Sequence, residues 1–324
     1  MSREGTAKTL ASRGVFCNNN AFMTKLDTEI VVEAHAKVNL TLEILGKRSD
    51  GYHDLRSVVM PVSLVDTVSL SPAPSGEIGL AISAEKWINI ARLGPVESNL
   101  AVRVVRLMQE RYNIDKGVDI RIHKRIPIGG GMGGGSADAA AVIHGLNGLW
   151  GLNLPVEELS SFGADLGSDI PALVRRCVVV MEGRGEHVNP LFEKRQTDSV
   201  EQMWMVVANP GTMCSTAQIF KNWRADLTKP PKIINNIRSH IQKGDICAVA
   251  DSLYNGLEDV VFSVCPEVAE AAALLKKAGC LGVLLSGSGA SVFGLVSNKS
   301  HGESVSRRLP DGLWHMIVQT CPVV

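Results

Sequence analysis

The stretch IPIGGGMGGGSADAAA, residues 126–141, puts six glycines in seven positions directly ahead of small, helix-favouring residues. Upstream, VDIRIHKRI (118–126) alternates Val118, Ile120 and Ile122 with Asp119, Arg121 and His123, the pattern of a half-buried strand. Downstream, Ser136 stands where a helix N-cap belongs, with Asp138 in the expected first turn. Val142, Ile143, Leu146 and Trp150 supply the apolar face of that helix. A strand, bare backbone and a helix N-terminus together make a phosphate site: unpaired N–H groups and the positive dipole end attract an anion, and missing Cβ atoms allow close approach. The plain alternative is a flexible connector, but connectors rarely run into an amphipathic helix.

Several nucleotide motifs compete for this stretch. It lacks the G-K-[S/T] ending of a Walker A loop, and the V-A-I-K, H-R-D and D-F-G elements of protein kinases are absent. Gly129, Gly131 and Gly134 do satisfy G-x-G-x-x-G. A dinucleotide fold, however, wants an apolar preceding strand and an acid at the end of a parallel strand about twenty residues on. Here the strand alternates, and Glu157 and Glu158 fall in a second helix pattern.

The chain of 324 residues is long for one core and predicts two domains with room for a cleft between them. Lys plus Arg (33) balance Asp plus Glu (33), so no global field points to nucleic acid or an anionic membrane. Seven scattered cysteines (17, 177, 214, 247, 265, 280, 321), none spaced as CxxC, give no disulfide framework or zinc site, and a reducing cytoplasm is the simplest setting. No run of ~18 apolar residues predicts a membrane span. Residues 1–28 lack the apolar core of a secretory signal and are set aside as an extension, with Met23 as an alternative start.

Strands are expected at 29–45 and 56–64, and a helix over 100–113 capped by Ser98 or Asn99. A second helix over 156–166 ends at Gly167, followed by a strand at VVVMEG (178–183). The polar stretch 191–202 is the expected boundary between domains at 29–197 and 198–324. The second domain reads as strand 203–210, helices near 215–223, 231–242, 245–258 and 267–278, strands near 281–285 and 291–296, a helix near 299–308 and a strand near 313–320. That closing order suits an antiparallel sheet covered by helices on one face, an α+β arrangement.

Candidate functional side chains surround the glycines. In AHAKVNLTL (34–42), Lys37 and Asn39 share a polar face, although a lone strand lysine is as readily a solvated charge. The turn DGYHDL pairs Tyr52 with His53 where plain polar residues would serve, which points to a ligand. Asp169 in LGSDIP is either a helix cap or a working carboxylate. SGSGA (286–290) is a second small-residue turn that alone passes for a hairpin loop.

PIGGGMGGGSADAA resembles the P-x-x-x-G-L-G-S-S-A-A phosphate loop of the GHMP kinases, the family of galactokinase, homoserine, mevalonate and phosphomevalonate kinases. Four segments in order, 36–70, 126–152, 166–171 and 285–294, are similar to the members that phosphorylate diphosphocytidyl-methylerythritol in the non-mevalonate isoprenoid pathway. The resemblance implies a two-domain α+β fold, an S5-like N-terminal domain and a ferredoxin-like C-terminal domain, with the active site in the cleft between them. It further implies ATP and Mg²⁺, a small-molecule substrate and no partner beyond a weak homodimer.

By that resemblance, Asp169 takes the acceptor hydroxyl proton and Lys37 offsets charge. ATP lies on Asn99, Lys124, Pro127, Gly129, Gly130, Gly131, Met132, Gly133, Gly134, Gly135 and Ser136, with Ser136 a possible Mg²⁺ ligand. Asn39, Tyr52, His53, Phe220, Ser288 and Gly289 hold the substrate, Tyr52 and Phe220 stacking on the cytosine. Read alone, Lys124 is equally an exposed strand charge, and Phe220 equally a core residue. The chain departs from the pattern at Met132, where Leu is usual, at Ala137, where a second Ser is common, and at ALVRRCVVV (172–180), which puts the cleft wall there in doubt. Other GHMP kinase substrates, mevalonate or homoserine, and a non-catalytic sensor on the same fold are the rival readings.

Overall fold

The computed structural model describes residues 23–26, 29–193, 200–224 and 234–323. Two long strands organise the N-terminal half: β2 (Glu29–Lys47) and β3 (His53–Ala73), which pair antiparallel through the Arg48–Tyr52 turn. Around them the sheet runs β1 (Met23–Leu26), β2, β3, β5 (Gly117–Lys124), β4 (Ile78–Ala84), with β4 parallel to β5. The hairpin β6 (Val179–Gly183) and β7 (His187–Pro190) joins the other part of β3. Met23–Leu26, set aside with the extension, is thus an edge strand of the sheet.

Helices α1 (Leu100–Tyr112) and α2 (Gly134–Leu149) pack on this sheet, followed by α3 (Val156–Ala164) and α4 (Ile170–Arg175). Asn99 resolves the choice of cap for α1, its side chain accepting from Ala101 N at 2.9 Å. Val38, Leu40, Met60, Ile120, Ile143 and Leu146 are buried together between sheet and helices.

The C-terminal half starts with β8 (Trp204–Asn209) and α5 (Thr216–Asn222), then α6 (Ile234–Gln242) and α7 (Ile246–Asp251). After β9 (Tyr254–Asn255) come α8 (Glu258–Val264), α9 (Pro266–Ala278), β10 (Gly282–Leu285), β11 (Val292–Val296), α10 (Lys299–Ser306) and β12 (Trp314–Gln319). The four-stranded sheet has the order β10-β11-β8-β12, every pair antiparallel, which is the ferredoxin-like order expected.

Two helical expectations fail for local reasons. The helix over 245–258 is interrupted because Asn255 must be extended: its amide donates to the carbonyls of Leu285 (2.9 Å) and Gly287 (2.8 Å), and β9 adds parallel to β2. Ser136 is not the cap of α2; the helix begins at Gly134, with Gly133 at the cap position in a left-handed conformation (φ 71°). Asp138 consequently sits a turn deeper than expected, buried against Lys124. The expected boundary at 191–202 includes residues 194–199, outside the described residues, as are 1–22, 27–28 and the first residues expected for the 231–242 helix.

The halves are stitched together by backbone. Val62 bridges Thr320, Cys321 N donates to Pro61 O at 2.8 Å, and β9 of the second half lies on β2 of the first.

Candidate active site

β2 carries buried polar residues on one side, and its pairing with β3 shifts between His35 and Lys37 and again between Asn39 and Thr41. Such bulges re-aim side chains. Here they bring Lys37, only 2% exposed, and Asn39 into the cleft. The Lys37 ammonium donates to Asn39 Oδ1 at 2.8 Å and lies 3.4 Å from Asp169 Oδ2. Asn39 Nδ2 in turn donates to Ser57 Oγ at 2.8 Å, and Ser57 Oγ to Thr41 O, so the amide is oriented with its oxygen toward the lysine. Asp169 occupies the cap position of α4 but makes no capping bond with its side chain. The turn that presents it is propped by Gly185 (φ 117°), where a Cβ would come within 2.4 Å of Ser168 O.

Lys37, Asn39 and Asp169 line a cleft of about 830 Å³ that also takes in Gly131, Ser136 and Ser288. Its far part is bounded by Tyr52, His53, Phe220 and Leu55. His53 is buried against Phe220 (ring centroids 5.3 Å apart) and edge-on to Trp223 (5.2 Å). Burial, with the nearby Lys47 charge, pulls the His53 imidazole below its usual pKa, so the ring is neutral at pH 7. Tyr52 is 57% exposed, its ring under the Arg184 guanidinium at 5.2 Å. Lys47, Arg184 and Lys221 also face this cleft, against one further acid, Asp50, besides Asp169.

The glycine loop separates this cleft from a second pocket of about 250 Å³, lined by Asn99, Leu100, Lys124, Ile126, Pro127, Gly129, Gly134 and Gly135 among others. Gly129, Gly131 and Gly133 are left-handed (φ 68°, 72° and 71°) and alternate with residues that are not. That alternation is how successive N–H groups form an anion nest. The loop's carbonyls are held by other elements: Met132 O accepts from Lys37 N at 3.0 Å, Gly131 O from Ser286 Oγ at 3.1 Å and Gly130 O from Ser291 N at 2.9 Å. A Cβ at Gly131 would sit 2.2 Å from Ser286 O, so only glycine allows this contact.

The model for the GHMP kinases N terminal domain matches residues 99–176, and that for the GHMP kinases C terminal domain matches 237–313. The chain is 35% identical over 285 residues to the 4-diphosphocytidyl-2-C-methyl-D-erythritol kinase of Bacillus cereus (strain B4264), covering 88% of this chain and 93% of that one. This chain belongs to the GHMP kinases. In solved structures it matches a 4-(cytidine 5'-diphospho)-2C-methyl-D-erythritol kinase (TM-score 0.74, 29% identity, 90% of this chain and 99% of that chain). The fold alone is shared with homoserine kinase from Cytophaga hutchinsonii ATCC 33406 (TM-score 0.69, 17% identity, covering 93% and 98%).

In this GHMP kinase, the sequence-selected residues divide by place. Lys37, Asn39, Tyr52, His53, Asp169, Phe220, Ser288, Gly131 and Ser136 meet in the larger cleft; Asn99, Lys124, Pro127, Gly129, Gly134 and Gly135 line the smaller pocket. Met132 is fully buried, Gly130 is buried beside Ser291 and Asn209, and Gly133 packs on the Lys37 stem, so these three shape the loop through backbone. Gly289 packs against Leu285, Val261 and Cys214, a scaffold position behind Ser288.

Lys124 is no surface charge: its ammonium bridges Asp66 and Asp138, and burial works against its charge while the two carboxylates outweigh that and hold its pKa above the ordinary range. The Asp66 carboxylate also accepts the backbone N–H groups of Arg125 and Ile126, fixing the strand's exit into the loop. The departure at Arg175–Cys177 lies off both pockets. Arg175 pairs with Glu157 at 2.9 Å, and Cys177 bridges Val323. The sequence reading missed Arg184, Lys47, Lys221, Thr216 and Trp223. The isolated cations carry no local signal; Trp223, three residues after Phe220, could have been found as its helical neighbour.

Proposed function

We propose that this GHMP kinase transfers the γ-phosphoryl group of ATP to the 2-hydroxyl of 4-diphosphocytidyl-2-C-methyl-D-erythritol. The observation that carries the reading is one cleft with the Lys37–Asp169 pair in one part and a neutral histidine with exposed and half-buried aromatics in another. A substrate with a base at one end and a hydroxyl at the other fits such a cleft. Base–aromatic stacking contributes ~1–3 kcal/mol. Three cations, Lys47, Arg184 and Lys221, complement a diphosphate between those ends. The names of the relatives agree with this chemistry.

In the reaction, the acceptor oxygen attacks the γ-phosphorus, the bond to the β-phosphate oxygen breaks and ADP leaves. Asp169 takes the hydroxyl proton. Lys37, 3.4 Å from Asp169, offsets charge on the moving group. The alternating glycine N–H groups and the first turn of α2 hold the triphosphate. Ser136, in that turn, and Asp169 are oxygen donors on one cleft wall, and no cluster of three metal-ligating side chains exists among the described residues. That donor set fits Mg²⁺, which keeps waters and phosphate oxygens as most of its ligands and supplies charge neutralisation when bound. We place the domain division at 197/198.

ADP release is the test, measured with diphosphocytidyl-methylerythritol, mevalonate and homoserine as separate acceptors. Turnover with the first alone is expected. Turnover with mevalonate or homoserine instead would overturn the substrate, and ADP release with none would favour the sensor. The sensor reading is disfavoured by the intact Lys37–Asp169 pair.

A further inference from the structure

We infer that Cys214 and Cys265 form a redox-modification site, a dithiol that a disulfide oxidant closes to a reversible staple behind the cleft. The two sulfurs are 3.1 Å apart, from residues 51 positions apart in the chain. A disulfide needs an S–S distance of about 2.05 Å, so closure asks for a movement of only about 1 Å. Both thiols are free.

Their positions give the staple its meaning. Cys214 immediately precedes Ser215, the N-cap of α5, whose Thr216, Ala217, Phe220 and Lys221 line the cleft. Cys265 is the joint between α8 and α9, ending one helix and starting the next in a non-helical conformation. Both pack in the apolar cluster of the C-terminal half. A bond between them ties the helix that presents Phe220 to a rigid corner of the second domain.

The residues differ in reach. Cys265 is half-buried and meets the oxidant first, whereas burial and the hydrogen bond to Cys265 push the Cys214 thiol up to about 12. With glutathione disulfide, the Cys265 thiolate attacks one sulfur, its S–S bond breaks and one glutathione thiolate leaves. Cys214 then gives its proton to solvent and displaces the second glutathione, forming the Cys214–Cys265 bond. The protein dithiol is oxidised and one glutathione disulfide is reduced to two thiols. Because the sulfurs already touch, the oxidised protein keeps its cleft geometry and gains stability through the closed loop.

The test treats the reduced full-length protein with glutathione disulfide, blocks remaining thiols with iodoacetamide and maps the digest by mass spectrometry. The expected result is a Cys214–Cys265 crosslinked peptide. A Tm rise of roughly 5–10 °C should accompany it, reversed by dithiothreitol and absent in Cys265→Ser. Exposed Cys247 reports whether the oxidant acted. Alkylated Cys214 and Cys265 in a sample whose Cys247 carries glutathione would overturn the inference.

Discussion

Asp169 and Lys37 show how a single contact bears on readings that sequence leaves open. An aspartate before Ile-Pro is a ready helix cap, yet its carboxylate turns from the helix to the Lys37 ammonium at 3.4 Å. Asp169→Asn preserves shape while removing the proposed proton acceptor. Steady-state kinetics should show kcat lower by ~10²–10⁴ with substrate KM within about threefold; an unchanged kcat would remove Asp169 from the chemistry. Lys37 and Asn39 were legible because two polar residues on alternate positions share a strand face. The burial of Lys124 was not legible, since the acids that hold it stand 58 positions before and 14 after it. Arg184 escaped for the same reason: only folding brings it over Tyr52.

At the scale of elements, the glycine loop takes the alternating left-handed backbone that suits an anion, while its helix starts earlier than the sequence reading has it. A serine ahead of alanines looks like a cap, but left-handed Gly133 takes that place, a role sequence patterns assign to helix ends. The lost helix over 245–258 has a similar cause, because the partners of Asn255 lie 30 and 32 residues downstream. The glycines themselves are not equivalent. Gly131→Ala adds a Cβ 2.2 Å from Ser286 O on a backbone at φ 72°, whereas Gly135→Ala meets nothing nearer than Leu100 at 3.9 Å. Scanning calorimetry should show Gly131→Ala melting several degrees lower, with kcat/KM for ATP down by roughly 10² or more, and Gly135→Ala melting at or slightly above the parent. Equal Tm values for the two would show that the loop relaxes freely.

One part of the whole molecule's response to pH runs through a histidine outside the cleft. His144 lies on α2, its Nε2 2.9 Å from Val174 O, and burial together with the Arg176 charge pulls its pKa down to about 3. In the unfolded chain the ring titrates near 6.5, so between these values the unfolded state binds the extra proton. The stability this group contributes is whole above pH 6.5 and is lost progressively as pH falls toward 3. His144→Gln keeps an N–H donor without a titrating ring, and its Tm between pH 6.5 and 4 should fall less steeply than the parent's; identical slopes would place the acid sensitivity elsewhere. Two domains with a cleft were legible from length and element order. Their backbone stitching was not, since Val62–Thr320 and β2–β9 pair segments that no periodicity connects.

One consequence reaches across that division. Two consecutive carbonyls of the glycine loop, those of Gly130 and Gly131, are gripped by Ser291 and Ser286 of the other half, at least 155 positions along the chain. With ATP on this loop as proposed, nucleotide occupancy and the order of the Ser286–Ser291 turn are thermodynamically linked, and such linkage is reciprocal. Whatever steadies that turn raises affinity for ATP by the same factor with which bound ATP steadies the turn, so a substitution far outside the phosphate motif will register as a nucleotide defect.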